Sequence, residues 1–322
     1  MKLTSKILCV ALGSTVLAGP AIAQEYPERP IDMIVAYSAG GGTDVAARTL
    51  VPYIEEHLPG DATINVINRP GAGGEIGFTA LANADPDGYT IGFVNLPNLL
   101  SIAIQRETDY ELSSFQPVAD IVYDPGGFGA SADAGFDDLE GLVEYAENKS
   151  GPVTYGTTGI GSDDHLAALT FARQAGIEMR HIPFSGAADV RAALLGGQID
   201  LASTNVSELI DYADSGDVVI LGQMGEERWS EASDIPTFQE QGFDVVMGSD
   251  RGLAAPAGFP EDALATLQTA VEAAVADPEF QERAQEQRLP LSFMDAEAFG
   301  AKLDRMNENL QGIWEEQPWV EQ

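Results

Sequence analysis

The chain has 322 residues, with 16 Lys and Arg against 51 Asp and Glu, for a formal net charge of −35. A field of that sign excludes nucleic acid as a partner, because phosphate binding draws on clustered basic side chains. Cys9 is the only cysteine, which excludes a disulfide framework.

At the N-terminus, Lys2 and Lys6 precede an apolar run, Ile7 to Leu17, that is too short to span a bilayer. Ala21-Ile22-Ala23 has the small-residue pattern of a processing site. Residues 1–23 are therefore expected to be a cleaved signal peptide, with export of a chain starting at Gln24. Cys9 leaves with that segment, so neither a lipid anchor nor thiol chemistry is expected. The remaining 299 residues carry a net charge of −37, with only Lys149 and Lys302 as lysines. That length accommodates two domains with separate cores. An acid-rich, lysine-poor surface points to a saline habitat, where screening makes self-repulsion tolerable. The melting temperature is expected to rise with salt concentration; a midpoint indifferent to salt would contradict this.

Strands and helices then alternate. Ile31–Tyr37 reads as a buried strand. Ala46–Leu58 reads as a helix with Ala47, Leu50, Val51, Ile54 and Leu58 on one face, kinked or broken at Pro52. Strands are expected at Thr63–Ile67, Tyr89–Val94, Pro117–Tyr123, Val153–Tyr155, Arg180–Phe184, Ile199–Ser203, Val218–Gly222 and Gly252–Ala255. Helices are expected at Gly77–Ala84, Asp137–Asn148, Ser162–Ala175 (stopped by Gly176), Ala187–Leu195, Asp262–Ala276, Pro278–Gln287 and Asp295–Trp314. The alternation argues for α/β domains with mostly parallel sheets. With no flexible linker apparent, two crossing segments would join them and allow a hinge.

The most informative stretch is Ile34 to Arg48, a strand, a glycine-rich turn and a helix start. Such a turn gathers backbone N–H groups at the positive end of a helix dipole, where an anion can be held. Gly40-Gly41-Gly42 does not spell a dinucleotide fingerprint and no Walker lysine follows. A second loop of this kind runs from Val153 to His165, with hydroxyls at Thr157, Thr158 and Ser162 and with Gly159 and Gly161 allowing close backbone approach. Two such loops suggest a two-domain protein gripping one small anion from both sides. Asn68–Gly77 is also glycine-rich and reads as close packing of a turn. Asp163 and Asp164, in a first helical turn, would oppose an anion if they pointed inward, so they are expected to face solvent. His57 and His181 stand alone, without metal-ligand spacing. His165 with Ser162 lacks any visible orienting acid or oxyanion hole, so no catalysis, no cofactor and no metal are expected.

An ordered set of segments resembles the periplasmic solute-binding proteins of tripartite tricarboxylate transporters, the TctC or Bug family. They are Tyr26–Ile31; Ala39–Asp44 with Arg48; Asn68–Gly74 with Ile76 and Gly77; Ala84–Thr90; Tyr155–Gly161 with Ser162 and His165; Ile182–Phe184 with Gly186; Leu195–Gln198; Asp234–Thr237 with Glu240 and Gly242; and Ala255–Gly258. The resemblance spans essentially the whole exported chain. It implies a type II periplasmic-binding-protein (Venus-flytrap) fold, with residues 24–124 plus 250–322 in one domain and 125–249 in the other. It also implies a monomer that closes on a small carboxylate and delivers it to membrane permease subunits. A sensory role and an exported hydrolase are the competing readings.

On that resemblance, the first loop would hold the carboxylate through Ser38, Ala39, Gly40, Gly41, Gly42 and Thr43. Asp44 would accept from a bridging water or a loop amide, and Arg48 would either join the site or pair with a structural carboxylate. The second loop would contribute Thr157, Thr158, Gly159, Gly161, Ser162 and His165. The fold's strand ends add Asn95, Phe184, Ser185, Asn205 and Arg251, with Asn98, Tyr123, Asp189, Thr204 and Asp250 nearby. Resembling proteins often carry lysine where Ser185 stands and tryptophan near Asp250. Arg251 could fork onto a second carboxylate or bridge the domains through an acid. A bulky residue at Gly41 or Gly159 is expected to abolish binding.

Overall fold

The computed structural model describes residues 26–316 and 318–320. The expected signal peptide, its cleavage point and Cys9 lie outside them. Strand β1 (Ile31–Val35) pairs in parallel with β2 (Ile64–Asn68) and β3 (Thr90–Leu96). Alternate residues of this region serve opposite faces of the sheet, as a pleated strand requires. Ile31, Met33 and Val35 enter one buried cluster, and Ile34 and Ala36 enter another.

Helix α1 (Gly42–His57) covers the first face, setting Ala46, Leu50 and Ile54 into the cluster that also holds Leu267 and Val271 of a later helix, Glu261–Ala276. The expected break at Pro52 does not occur; α1 runs through it. Pro52 and Arg48, four residues before it, are both exposed. The Arg48 carbonyl that loses its N–H partner is therefore on the face where water can replace it. Helices α2 (Glu75–Ala82) and α3 (Asn98–Gln105) cover the other face.

Strand β4 (Phe115–Ser131) is far longer than the sequence pattern indicated and runs through both halves of the molecule. Its first part, to Pro125, pairs with Gly248–Pro256, and its second part pairs with Leu201–Asn205 and Val218–Gln223. In chain order the second half contains α4 (Leu139–Asn148), β5 (Val153–Thr157), α5 (Asp163–Ala175), β6 (Met179–Pro183), α6 (Ala187–Leu195), β7 (Leu201–Asn205), α7 (Ile210–Asp214) and β8 (Val218–Gln223). Strand β5 pairs in parallel with β6 and β7. The chain then returns along β9 (Gly248–Pro256), which lies antiparallel between β3 and β4. It ends with α8 (Glu261–Ala276), α9 (Pro278–Glu286), β10 (Leu291–Asp295) and α10 (Ala296–Glu316). Phe299 and Leu303 of α10 return to the first half's core.

The continuous order is β2-β1-β3-β9-β4-β7-β5-β6. It gives an α/β protein of two lobes, each with buried clusters on its sheet. Among the described residues, β4 carries the strand ladder across the seam, and β9 begins beside it there, with Gly248 opposite Pro125 and Ser249 opposite Asp124. The seam therefore lies where α1, α5 and the end of β7 all begin or end.

Candidate functional site

The turn before α1 is braced from within its own lobe. Asp44, in the first turn of α1, accepts the Gly40 amide at 2.9 Å. It also accepts Arg48 Nε and Asn68 Nδ2, both at 2.9 Å. Burial pushes the Asp44 carboxyl up, but the bonds from Arg48, the Gly40 amide and Asn68 outweigh it and hold it below the usual range. Of the two roles open to Arg48, the structure shows the pairing with a structural carboxylate.

With the turn fixed, the first amide of α1, that of Gly42, faces the seam. The first N–H groups of a helix have no intrahelical acceptor. The Gly42 amide instead donates to Glu208 Oε1 at 2.6 Å, across to the other lobe. Glu208 is placed by its own turn, where Asn205 and Glu208 form a reciprocal capping box after β7. An acid of the second lobe thus sits where an anion would meet α1.

Arg251, on β9, is 1 % exposed. Its Nη1 donates to Asp124 at 2.7 Å and its Nη2 to Asn205 Oδ1 at 2.9 Å, with Glu208 at 3.6 Å. Burial lowers the pull of Arg251 on its proton, yet Asp124 and Glu208 reverse the balance and keep it protonated. Burial raises Asp124 above the usual range despite Arg251. The guanidinium bridges the lobes through acids, as one of the two sequence readings had it.

The cavity at this seam is about 20 Å³, room for roughly one water. From the first lobe it is lined by Tyr37, Gly41, Gly42, Thr43, Asn95, Asn98 and Arg251, with Ser249 at the point where β9 begins. The second lobe supplies Thr158, Asp163, Ala187, Asn205 and Glu208. Asn95 Nδ2 reaches Thr43 Oγ1 at 2.9 Å and Ser249 Oγ at 3.3 Å.

Of the residues nominated from sequence, the structure brings Gly41, Gly42, Thr43, Asn95, Thr158, Asn205 and Arg251 to the cavity. Ser38 is at the rim, donating to Asp189 at 2.9 Å, and the Gly40 carbonyl accepts from Arg191 beside the exposed Ala39. Asp44 lies behind the turn. Phe184 packs into the second lobe's core and Ser185 is exposed.

The second loop is turned largely onto itself. Thr158 N and Oγ1 donate to Asp164, Gly159 N to Thr157 Oγ1 and Gly161 N to His165 Nδ1. Ser162 caps α5 by accepting the His165 amide at 3.1 Å. The Thr158, Gly159, Gly161, Ser162 and His165 amides are thus spent within the loop, and Thr158 alone of Thr157, Thr158, Gly159, Gly161, Ser162 and His165 lines the cavity. The picture of amide clusters opposed across the seam is corrected accordingly. His165 stacks on His181 with ring centroids 4.2 Å apart. Burial, with His181 beside it, lowers His165 to about 3, and burial lowers His181 to about 4, so both rings are neutral.

Asp163 and Asp164 do not face solvent, contrary to expectation; they are 3 % and 1 % exposed. Asp164 is consumed by the loop, and Asp163 accepts Asn205 Nδ2 at 3.1 Å while lining the cavity. Burial raises Asp163 to about 7, against the opposing pull of Asn205 and Arg251. Burial and then Asp163 and Glu208 raise Asp164 further. Dipole reasoning treats first-turn acids as surface groups and passes over the loop hydroxyls and amides that can bury one. Glu208 was missed because an Asn-x-x-Glu spacing signals a helix cap and nothing more.

The glycine expectations also change. A Cβ on Gly41 would meet nothing closer than Ser38 O at 3.4 Å, so a small side chain fits there. On Gly42 it would lie 2.5 Å from Glu208 Oε1 and 2.6 Å from Arg251 Nη2. Gly42→Ala should therefore hold the lobes apart and weaken ligand binding at least about tenfold, about 1.4 kcal/mol, while Gly41→Ala leaves it near wild type. Titration calorimetry of both variants checks this, and equal affinities would contradict it. Gly159 has φ of 145° and packs against Gly73 of the other lobe, so that a Cβ on it would lie 2.6 Å from Gly73 Cα. The Asn68–Gly77 segment thus does serve close packing.

Comparison with known proteins agrees with this architecture. The chain is 31% identical over 278 residues to a Cupriavidus necator protein described as "UPF0065 protein in gbd 5'region", covering 84% of this chain and 82% of that one. It superposes on the periplasmic binding protein BugD with a TM-score of 0.86 at 29% identity, covering 92% and 100% of the two chains. A TctC solute-binding protein from Polaromonas, solved without ligand, gives 0.65 at 33% identity, covering 90% and 99%. The model of the tripartite tricarboxylate transporter family receptor matches residues 47–305, and the chain belongs to that family.

Proposed function

We propose that this protein is a periplasmic receptor that captures one small carboxylate at the seam between its lobes and hands it to the permease of a tripartite tricarboxylate transporter. The observation that carries the reading is the carboxylate of Glu208 on the Gly42 amide. A carboxylate oxygen already fits the start of a 16-residue helix, where dipole and unpaired amides favour negative charge. Residues 26–124 with 250–320, and 125–249, are the two bodies we assign, hinged where β4 and β9 cross. The comparison structures support a hinge. The Polaromonas protein is more identical in sequence than BugD yet superposes less well, as rotation of intact lobes would produce. A cavity of about 20 Å³ cannot admit an organic acid, so entry requires that opening. The protein acts as a monomer in this reading.

Binding without turnover follows from the local chemistry. Ser162 Oγ accepts the His165 main-chain amide and donates to the Gly159 carbonyl at 2.9 Å. The His165 ring accepts the Gly161 amide and so is not poised to activate that hydroxyl. A thermal-shift screen of small carboxylates tests the proposal, since a ligand of the folded state alone raises the melting point. At least one acid should stabilise the protein at a stoichiometry of one and be recovered unchanged. A screen in which no carboxylate does so would contradict it.

A further inference from the structure

The seam contains more acid than capture of an anion calls for. Asp163 and Glu208 line the cavity, with Asp124 and Asp164 buried directly behind them. The one guanidinium among the lining residues, Arg251, is already committed to Asp124 and Asn205.

Several donors at the seam are already spent: the Gly42 amide on Glu208, Tyr37 Oη on the Gly73 carbonyl at 3.2 Å, and Thr158 Oγ1 on Asp164 at 2.8 Å. The Thr43 and Ser249 hydroxyls accept from Asn95 Nδ2 and keep their protons for a ligand carboxylate. Two amide acceptors are left over. Asn98, 3 % exposed, lines the cavity with its Oδ1 unpartnered. Its orientation is set by chemistry, because Nδ2 faces the Gly73 carbonyl at 3.4 Å, a group that can only accept. Asn95 Oδ1 is unpartnered as well. A buried acceptor without a donor is a costly arrangement, and both of these amides belong to residues that line the cavity. A ligand made only of carboxylates would add negative charge and still more acceptors. An ammonium group brings one positive charge and three N–H donors.

We propose that the ligand is zwitterionic, an amino-acid-type molecule whose carboxylate replaces that of Glu208 on the Gly42 amide and whose ammonium is seated among Glu208, Asp163 and Asn98 Oδ1. The inference rests on the carboxylate-receptor reading and narrows it. Arg251 Nε, which has no partner, is left as a second donor for the carboxylate. Glu208 has two roles in this scheme. It occupies the anion position when the seam is empty, and it becomes half of the ammonium seat once displaced. The same residue therefore disfavours a second carboxylate at that end of the ligand.

The test is titration calorimetry of the purified protein with the standard α-amino acids and with length-matched pairs in which a carboxylate is exchanged for an ammonium. Suitable pairs are succinate against 3-aminopropanoate and glutarate against 4-aminobutanoate, with 1,4-diaminobutane as the cation alone. The expected result is an amino acid or aminocarboxylate that binds at least tenfold more tightly than every dicarboxylate. Asp163→Asn and Glu208→Gln should each cut that preference tenfold or more. Both replacements remove buried charge, so melting points at or above wild type would show that the loss is not unfolding. A dicarboxylate that binds as tightly as any aminocarboxylate would overturn the ammonium seat and leave the carboxylate reading standing. Binding of the diamine with no carboxylate bound, or of nothing in the panel, would overturn the carboxylate reading and the inference with it.

Discussion

Replacing Arg251 by methionine should destabilise the protein by about 3–5 kcal/mol, the range for removing one partner of a buried ion pair, and should abolish ligand capture. Arg251 is 1 % exposed and holds Asp124, Asn205 and Glu208 together. Methionine fills much of the same volume, so packing loss is small beside the charge left behind. Asp124, fully buried, would retain only Ser207 as a side-chain donor of those seen here, with the Ser207 amide at 3.4 Å. Urea denaturation at pH 7.5 measures the loss. Adding Asp124→Asn to the methionine variant should recover a large part of it, because the stranded charge is gone. A single-variant loss below about 1 kcal/mol, typical of exposed pairs, would show that this network is not what fixes the seam.

Stability should fall as pH rises from about 6.5 to 8, the reverse of common acid-denaturation behaviour. Burial and the neighbouring Asp250 raise Asp120 to about 8, with Lys302 opposing them. Asp163 is raised to about 7 and Asp164 beyond the ordinary range. In the unfolded chain all three lose their protons near 3.8. The folded state therefore binds more protons above that value, and stability drops as pH climbs toward the folded pKa values. His165 and His181 act oppositely, because burial keeps them neutral while unfolded histidine protonates below 6.5. Their contribution grows with pH between about 4 and 6.5 and is constant above. The acids are then unopposed, at about 1.4 kcal/mol per pH unit for each retained proton. A drop in melting temperature on the order of 5 °C between pH 6.5 and 8 follows. Measurement in high salt screens the general repulsion of the acidic surface. Asp120→Asn should flatten the slope and raise the melting point at pH 8. A melting temperature flat or rising across this window, and unchanged by Asp120→Asn, would contradict the assignment.

Much of the scaffold is legible in the chain itself. The alternation of Ile31, Met33 and Val35 with Ile34 marks a strand buried on both faces, and the spacing of Leu50, Val51 and Ile54 marks α1, because burial and period are local properties. Ser162 before α5 and Gly176 after it mark that helix by capping chemistry. What escaped was decided by partners distant in sequence. Strand β4 continues past Tyr123 through Asp124-Pro-Gly-Gly, a run that reads as a turn. It stays extended because β9 pairs it on one side of the seam and β7 and β8 pair it on the other. Helix α3 follows strand β3 with only Pro97 between them, and that proline masks the boundary. Within the site, the glycine turn before α1 is legible as a candidate anion seat. The acid that meets it is not, because Glu208 is 166 positions away and only the folded chain brings them together. Asp163 and Asp164 show the same limit: a first-turn acid is read as solvated until the loop that buries it is known.

Thermal stability and mutant affinities bear on the seam indirectly; a crystal structure of the protein with its bound solute addresses it directly. The solute should lie between the lobes with a carboxylate oxygen within hydrogen-bond distance of the Gly42 amide, and Glu208 should have left that amide. A solute bound anywhere else, or one found at the seam with Glu208 still seated on Gly42, would contradict the proposed mode of capture.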